Sequence, residues 1–560
     1  MAKTIPFNKL FHYLSIGITL AVFQPSIFAH SVNRSALIGL QSINKTDLKT
    51  KLKILASAKF QGRKTGTSGA DLAADYIACS FKKNGLIPSS KSSKYLQYFD
   101  ITQSKSAPSS ELRYDSDEST SYSFKTRDVV AAPWGRATGP LKKPGVFIGY
   151  GISAPELGYD DYEGVNINNK IVVMLSGLPQ PYRKLNLDLQ GQILHGDPIN
   201  KAISAKKKGA TGVILILREN EKLSLYKTND FNQGRGYLTT RIKKVDFPVF
   251  VVTFDAARSL FSKLFREGNL NNTLPTLIQK INSKVFRHYF EFKGKFFFRS
   301  SYHRLAIQGS NVIGLFYGSD ESLKDEFVMI GGHYDHIGVG ANNQIFFGAD
   351  DNASGIAALL ELVEAFKTNK LKPRRSIAFA AFSGEEIGLL GSEYYTENPL
   401  VPLEKTVAFL QMDMIGRDAD HQANLSNGLP SEKDMPNNNS LNVLGTSLVP
   451  SFKRIIKENN DHVNLDLKFQ SDLRAIELFQ RSDQWSFFKR GIPALFFFTG
   501  FHLDYHKTSD TPEKINFNKM EKISKLIYLT IWNLANRESI FEFDSELLKS
   551  LATDNDLKVW

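Results

Sequence analysis

"FSGEEIGLLGSEYY" runs from Phe382 to Tyr395. It sets two glutamates side by side, Glu385 and Glu386, directly after the apolar run "RSIAFAAFS" (Arg375 to Ser383). An apolar strand that ends in adjacent carboxylates either starts a helix, whose dipole favours acids there, or collects groups for chemistry. The surrounding chain repeats that layout. "FVMIGGHYD" (Phe327 to Asp335), "TVAFLQMDM" (Thr406 to Met414) and "IPALFFFT" (Ile492 to Thr499) read as strands. "SGIAALLELVEAF" (Ser354 to Phe366) and "NKMEKISKLIYLTIWNLA" (Asn518 to Ala535) read as helices. Nearly continuous apolar strands alternating with helices predict an α/β fold: a mostly parallel central sheet flanked by helices on both faces.

In such sheets the active groups sit at the carboxyl ends of strands. The first strand ends in "GGHYDHIG", carrying His333, Asp335 and His336. "GADDNASG" follows with Asp350 and Asp351, then the Glu385–Glu386 pair, then Asp413. "YHKTSDTPEKIN" after the last strand carries His506 and Asp510. A carboxylate such as Asp413 inside "LQMDMIG" is costly unless it is paired or bound to metal. Mixed carboxylate and imidazole donors suit zinc, or less specifically cobalt or manganese. His, Asp, Glu, Asp and His thus occur in order at one sheet edge, and these five ligand groups exceed a single structural zinc and fit two ions about 3.5–4 Å apart sharing a carboxylate. Adjacent residues point different ways, so one glutamate of the pair can bind metal while its neighbour handles the proton of a water.

The rest of the chain bounds the reading. With 560 residues, 42% of them hydrophobic, it has material for roughly two to four domains. The only cysteine is Cys79, which excludes an internal disulfide and a thiolate metal site. Lys3, Lys9, the apolar run Leu14 to Phe23 and Ala29 resemble an export signal, residues 1–29, which predicts a periplasmic or secreted protein with no stable membrane span after cleavage. The net charge of +13 is scattered, and no nucleic-acid motif is present. Residues 30–126 read as an N-terminal helical part, with 101–125 a polar connection. Between 127 and 275, short runs such as "NKIVVML" (Asn169 to Leu175), "GVILIL" (Gly212 to Leu217) and "FPVFVVTF" (Phe247 to Phe254) predict a compact β-rich module inserted in the larger domain. Residues 276–537 carry the chemistry, and 538–560 are a tail.

The motifs "GGHYDHIG", "GADDNASG", "FSGEEIGLLGS", "QMDMIGR" and "YHKTSDTPEKI" resemble the set found in M28 zinc metallopeptidases, chiefly di-zinc aminopeptidases. "YDDYEGVNINNKIVVML" and "INKAISAKKKGATGVILI" resemble the protease-associated (PA) domain that many members carry as an insert. The resemblance implies two Zn2+ ions per chain and peptide or protein N-termini as substrate. It implies His333 and Asp413 on one zinc, Glu386 and His506 on the other, Asp351 bridging both, and Glu385 as general base. It further implies Asp335 orienting the His333 ring and Tyr505 stabilising an oxyanion. Gln484 departs from the pattern, standing where relatives often have histidine. Carboxypeptidase or dipeptidase activity, or a non-catalytic binding protein on the same fold, are the competing expectations.

Overall fold

The computed structural model describes residues 34–538 apart from 90, 92–93, 117–120, 156–157, 180–194, 220, 222, 224–244, 268–272, 284–288, 341, 421–422, 425–437, 447–448 and 470–477. The expected export signal, residues 1–29, and the expected tail from 539 onward lie outside the described residues. No helix among the described residues is long and apolar enough to cross a membrane.

The apolar runs of the second half form the middle of an eight-stranded sheet. Phe327–His333, Ser376–Phe382, Thr406–Met412 and Ala494–Phe498 are buried along their whole length. They run parallel, in the spatial order 376–382, 327–333, 406–412, 494–498. Strands covered on both faces need apolar residues at nearly every position, which is why none of them alternates. Antiparallel pairing is confined to the flanks. Tyr302–Phe316 and Leu96–Ser106 extend one side, and Ser440–Leu444 extends the other, with Asp466–Lys468 at the margin.

Successive side chains of one strand point to opposite faces, so Phe379 and Phe382 report on different layers. Phe379 meets Phe366 of the helix Gly355–Thr368, with ring centroids 6.1 Å apart. That helix packs with Lys45–Leu55 and with the long closing helix Phe517–Asn536. Phe382 meets Phe487, which belongs to the short helix Gln484–Phe488 and stacks 4.0 Å from Phe409. Local signals set the helix ends. Asn44 accepts from the main-chain N–H of Thr46 and Asp47 at one start, and Gly85 (φ +77°) follows the helix Ser68–Lys83 at its end.

A second eight-stranded sheet is built from residues between Glu111 and Ser300. Its parallel strands Ile171–Leu175 and Gly212–Ile216 are fully buried, with Ile171, Val173 and Leu175 in one core and Val172 and Met174 in another. The sheet is wider than the expected 127–275. Glu111–Asp115 and Phe290–Ser300 also belong to it, so the supposed polar connection is partly strand. Glu111–Asp115 is half-buried, and its outward charges (Arg113 bonds to Asp115 at 2.6 Å and to Glu111 at 2.9 Å) mask the strand pattern. The chain leaves the first sheet at Ser106 and returns at Tyr302, two residues that pair directly across Leu96–Ser106 and Tyr302–Phe316. Ends that meet in this way allow a whole module to be inserted without disturbing the sheet.

The ring of Phe487 fills the layer behind two central strands and is fully buried. Phe487→Ala should lower the unfolding free energy by about 3–5 kcal/mol, the usual cost of emptying such a site. Denaturant titration measures it; a loss below about 1 kcal/mol would mean this layer does not carry the sheet.

Candidate metal centre

Each central strand delivers its chemical group at its carboxyl end. His333 closes the strand Phe327–His333. Ser376–Phe382 runs into Ser383 and Gly384 (φ +76°), a turn that places Glu385 and Glu386 above the sheet edge. Asp413 follows Thr406–Met412 directly, and His506 (φ +55°) lies in the loop after Ala494–Phe498. Asp351 comes from the turn that opens the helix Gly355–Thr368.

These groups converge in two clusters that share Asp351. In one, His333 Nε2 lies 3.3 Å from Asp413 Oδ1 and 3.4 Å from Asp351 Oδ1. In the other, His506 Nε2 lies 3.1 Å from Asp351 Oδ2 and 3.2 Å from Glu386 Oε2. Glu385 Oε2 stands 3.8 Å from His333 Nε2. His333, Asp351, Glu386 and Asp413 are all buried. His333 Nε2 and Asp413 Oδ1 have no hydrogen-bond partner although both are buried. Buried polar atoms without partners are costly. A tetrahedral ion with bonds of about 2.0–2.1 Å holds its ligand atoms about 3.3–3.4 Å apart, close to all four ligand spacings. The residues fit a metal cation, and His333–Asp351–Asp413 is one of the groups able to hold one.

Neighbouring groups hold the donors in place. His333 Nδ1 lies 3.1 Å from the Asp335 main-chain carbonyl, which can only accept. Nδ1 therefore donates to that carbonyl, and Nε2 is the ring nitrogen turned toward the cluster. The Asp335 carboxylate, expected to orient that ring, stands farther off at 3.8 Å and instead accepts from the Glu385 main-chain N–H at 3.2 Å. Ser482 donates to Asp413 Oδ2 at 2.8 Å. Asp510 is not among the donors: its carboxylate accepts from the main-chain N–H of Asp350 and Asp351, at 3.0 and 3.2 Å. Asp350 accepts from Gly416 N–H at 2.7 Å rather than joining the cluster. Gln484 is fully buried and donates to the Phe479 carbonyl.

His336 received no role from the motifs, yet its Nδ1 lies 2.6 Å from Glu386 Oε1 and 3.7 Å from Asp351 Oδ2. With Asp351 and Glu386 it forms a second group able to hold a metal. The spacing His333–x–x–His336 was visible, but strand-end histidines are usually structural, so only the fold shows that the second one reaches the Glu386 loop. Tyr505 stacks on the His506 ring at 3.8 Å. Burial and then the charges of Asp351, Glu386 and Glu385 push its hydroxyl well above the ordinary value, so it keeps its proton.

The two adjacent glutamates titrate apart. Burial, with the Asp413 and Glu386 carboxylates against the His333 ring, pushes Glu385 well above the usual range. Burial alone would raise Glu386 too, but His506 and His336 outweigh it and hold that carboxyl well below. Environments that drive two carboxyls apart separate a proton carrier from a fixed anion. For His506, burial lowers the value, but Glu386 and Asp351 overcome it and raise it to about 10. The ring is therefore protonated near neutral pH, and coordination requires it neutral. Zinc binding at about pH 7.5 should release roughly one proton from this ring and weaken as the pH falls. Calorimetry in buffers of different ionisation enthalpy measures the release; a heat of binding independent of buffer would contradict it.

Residues 311–531 match peptidase family M28. Aminopeptidase NAALADL1 of Rattus norvegicus is 38% identical over 121 residues, 20% of this chain and 15% of that protein. Leupeptin-inactivating enzyme 1 of Streptomyces exfoliatus is 37% identical over 109 residues, 19% of this chain and 23% of that protein. The chain thus aligns with less than a quarter of the length of either relative. In fold it is similar to an aminopeptidase from Aneurinibacillus sp. strain AM-1, with TM-score 0.56 and 18% identity over 90% of this chain and 97% of that one. It is also similar to BSAP, a zinc aminopeptidase from Bacillus subtilis, with TM-score 0.50 and 18% identity over 89% and 98%. All the cluster residues, from His333 to His506, fall inside the segment that matches peptidase family M28.

Proposed function

We propose that this protein is an exported aminopeptidase that hydrolyses N-terminal peptide bonds with two zinc ions per chain. One observation carries the reading: the two oxygens of Asp351 face two different donor sets, His333–Asp413 and His506–Glu386. Bound there, divalent ions would polarise the scissile carbonyl and acidify the attacking water. Glu385, with its raised proton affinity, takes the proton of that water and delivers it to the leaving amine. Glu386 stays ionised between His506 and His336 as a fixed ligand. Asp335 holds the Glu385 main chain, and Tyr505, beside His506, donates a hydrogen bond to the developing oxyanion. Export rests on Lys3, Lys9, Leu14 to Phe23 and Ala29.

Release of amino acids from free and N-acetylated peptides tests this, with wild type and Glu385→Gln side by side and zinc measured on both. Free peptides should be cut and acetylated ones spared. The variant should keep about two zinc ions while kcat falls about 10²–10⁴-fold. Trimming of acetylated peptides from the C-terminus would place the protein among the carboxypeptidases. Zinc with no cleavage of any peptide would favour a binding protein.

The second sheet, with its resemblance to a PA domain, is read as a module that narrows access to the site. Ser106 pairs with Tyr302, so a two-residue turn can replace residues 107–301. The shortened protein should accept a wider range of peptides. An unchanged range in a folded, active product would count against a gating role.

A further inference from the structure

The matched segment begins at 311, yet the metal centre is finished by a turn far upstream of it. Gln61, Gly62 and Arg63 follow one another with φ of 49°, 65° and 52°. A Cβ on Gly62 would lie 2.4 Å from the Phe346 carbonyl oxygen and 2.5 Å from that of Gly338, so the main chains meet here as closely as they can. Arg63 is fully buried and donates to the carbonyls of Leu55, Tyr334, Phe347 and Gly348. The turn is thereby pinned to two of the loops that carry donors, the one after His333 and the one before Asp351.

Thr65 then enters the site. Its hydroxyl donates to Asp335 Oδ2 at 2.8 Å, and a carboxylate in this position can only accept. Thr65 Oγ1 itself accepts from the Gly384 main-chain N–H at 2.9 Å. The Ser383 hydroxyl lies 3.0 Å away and, with the Thr65 proton already used, donates to it. Asp335 Oδ1 accepts from Glu385 N–H. One buried hydroxyl thus joins the loops after two neighbouring strands, the loop that follows His333 and the turn that carries Glu385 and Glu386.

We propose that Thr65 is a positioning residue of the metal centre, whose hydroxyl locks Asp335 to the Gly384–Glu385 turn and so sets the aim of Glu385 relative to His333. This rests on the aminopeptidase reading above. Without the hydroxyl, Asp335 loses a donor and Gly384 N–H an acceptor, and the two loops keep only contacts such as Asp335–Glu385 and His336–Glu386, neither of which holds the Asp335 Oδ2 side.

The test compares wild type with Thr65→Val, Thr65→Ala and Thr65→Ser. Steady-state kinetics, zinc dissociation against a chelator and the melting temperature are measured on each. Thr65→Val keeps the shape and Thr65→Ala relieves any crowding, so at least one hydroxyl-free variant should fold. Partners that orient a metal site are worth about 10–100-fold, so kcat in the folded hydroxyl-free variants should fall by that factor. KM should stay within about twofold. Zinc should leave them about 10-fold faster than wild type, while Thr65→Ser behaves as wild type. Unchanged kcat and zinc release in a folded Thr65→Val or Thr65→Ala would overturn the inference and leave the aminopeptidase reading standing. So would a loss that only tracks the melting temperature and that serine does not restore. A wild type that neither holds zinc nor cuts peptides would overturn the reading itself, and the inference with it.

Discussion

Four carboxylates and three imidazoles are gathered in a buried space at one sheet edge. Asp351, Glu385, Glu386 and Asp413 face His333, His336 and His506 across 2.6–3.8 Å. Removing such charges from water costs several kcal/mol per ion unless each finds a partner. The surrounding structure answers that demand. Main-chain N–H groups, hydroxyls and carbonyls are turned onto the carboxylates and rings, and the donor loops are fixed as a result. His333 Nε2 and Asp413 Oδ1 are among the buried atoms of the described residues left without a hydrogen bond, and they face one another.

The sheet makes this possible. Four parallel strands end at the same edge, so groups distant in sequence are delivered to one place with little loop between strand and donor. Because both faces are covered, the strands cannot tilt without opening the packing of Phe366 on Phe379 or of Phe487 on Phe409. Interiors packed to this density transmit position well. The upstream turn adds the remaining constraint, since Arg63 and Thr65 tie the loops to one another rather than to the strands alone.

The larger part of the fold was legible because its strands are buried on both faces. "FVMIGG" has no polar position, "SIAFAAF" and "TVAFLQM" have only Ser376, Thr406 and Gln411, and a covered sheet accommodates such runs side by side. The second module was legible only at its parallel core, Ile171–Leu175 and Gly212–Ile216. Its outer strands escaped because half of each faces water and carries charges such as Arg113 and Lys295, which look like loop composition. Asp510 was grouped with possible ligands on residue type alone. Its role is to accept two main-chain N–H groups, and such a contact leaves no mark in a sequence.

What the sequence determined by itself is the inventory: which residue types stand at the strand ends, in what order, and hence a metal-binding chemistry on an α/β sheet. Side-chain chemistry and hydrophobic period are local properties, readable residue by residue. What the tertiary structure decided is the geometry between residues far apart in the chain. It splits Asp351 between two donor sets, turns Asp335 toward Glu385 and Thr65 rather than the His333 ring, and brings His336 onto Glu386. Those outcomes depend on distances of a few ångströms set by packing across the whole sheet, and no spacing along the chain encodes them.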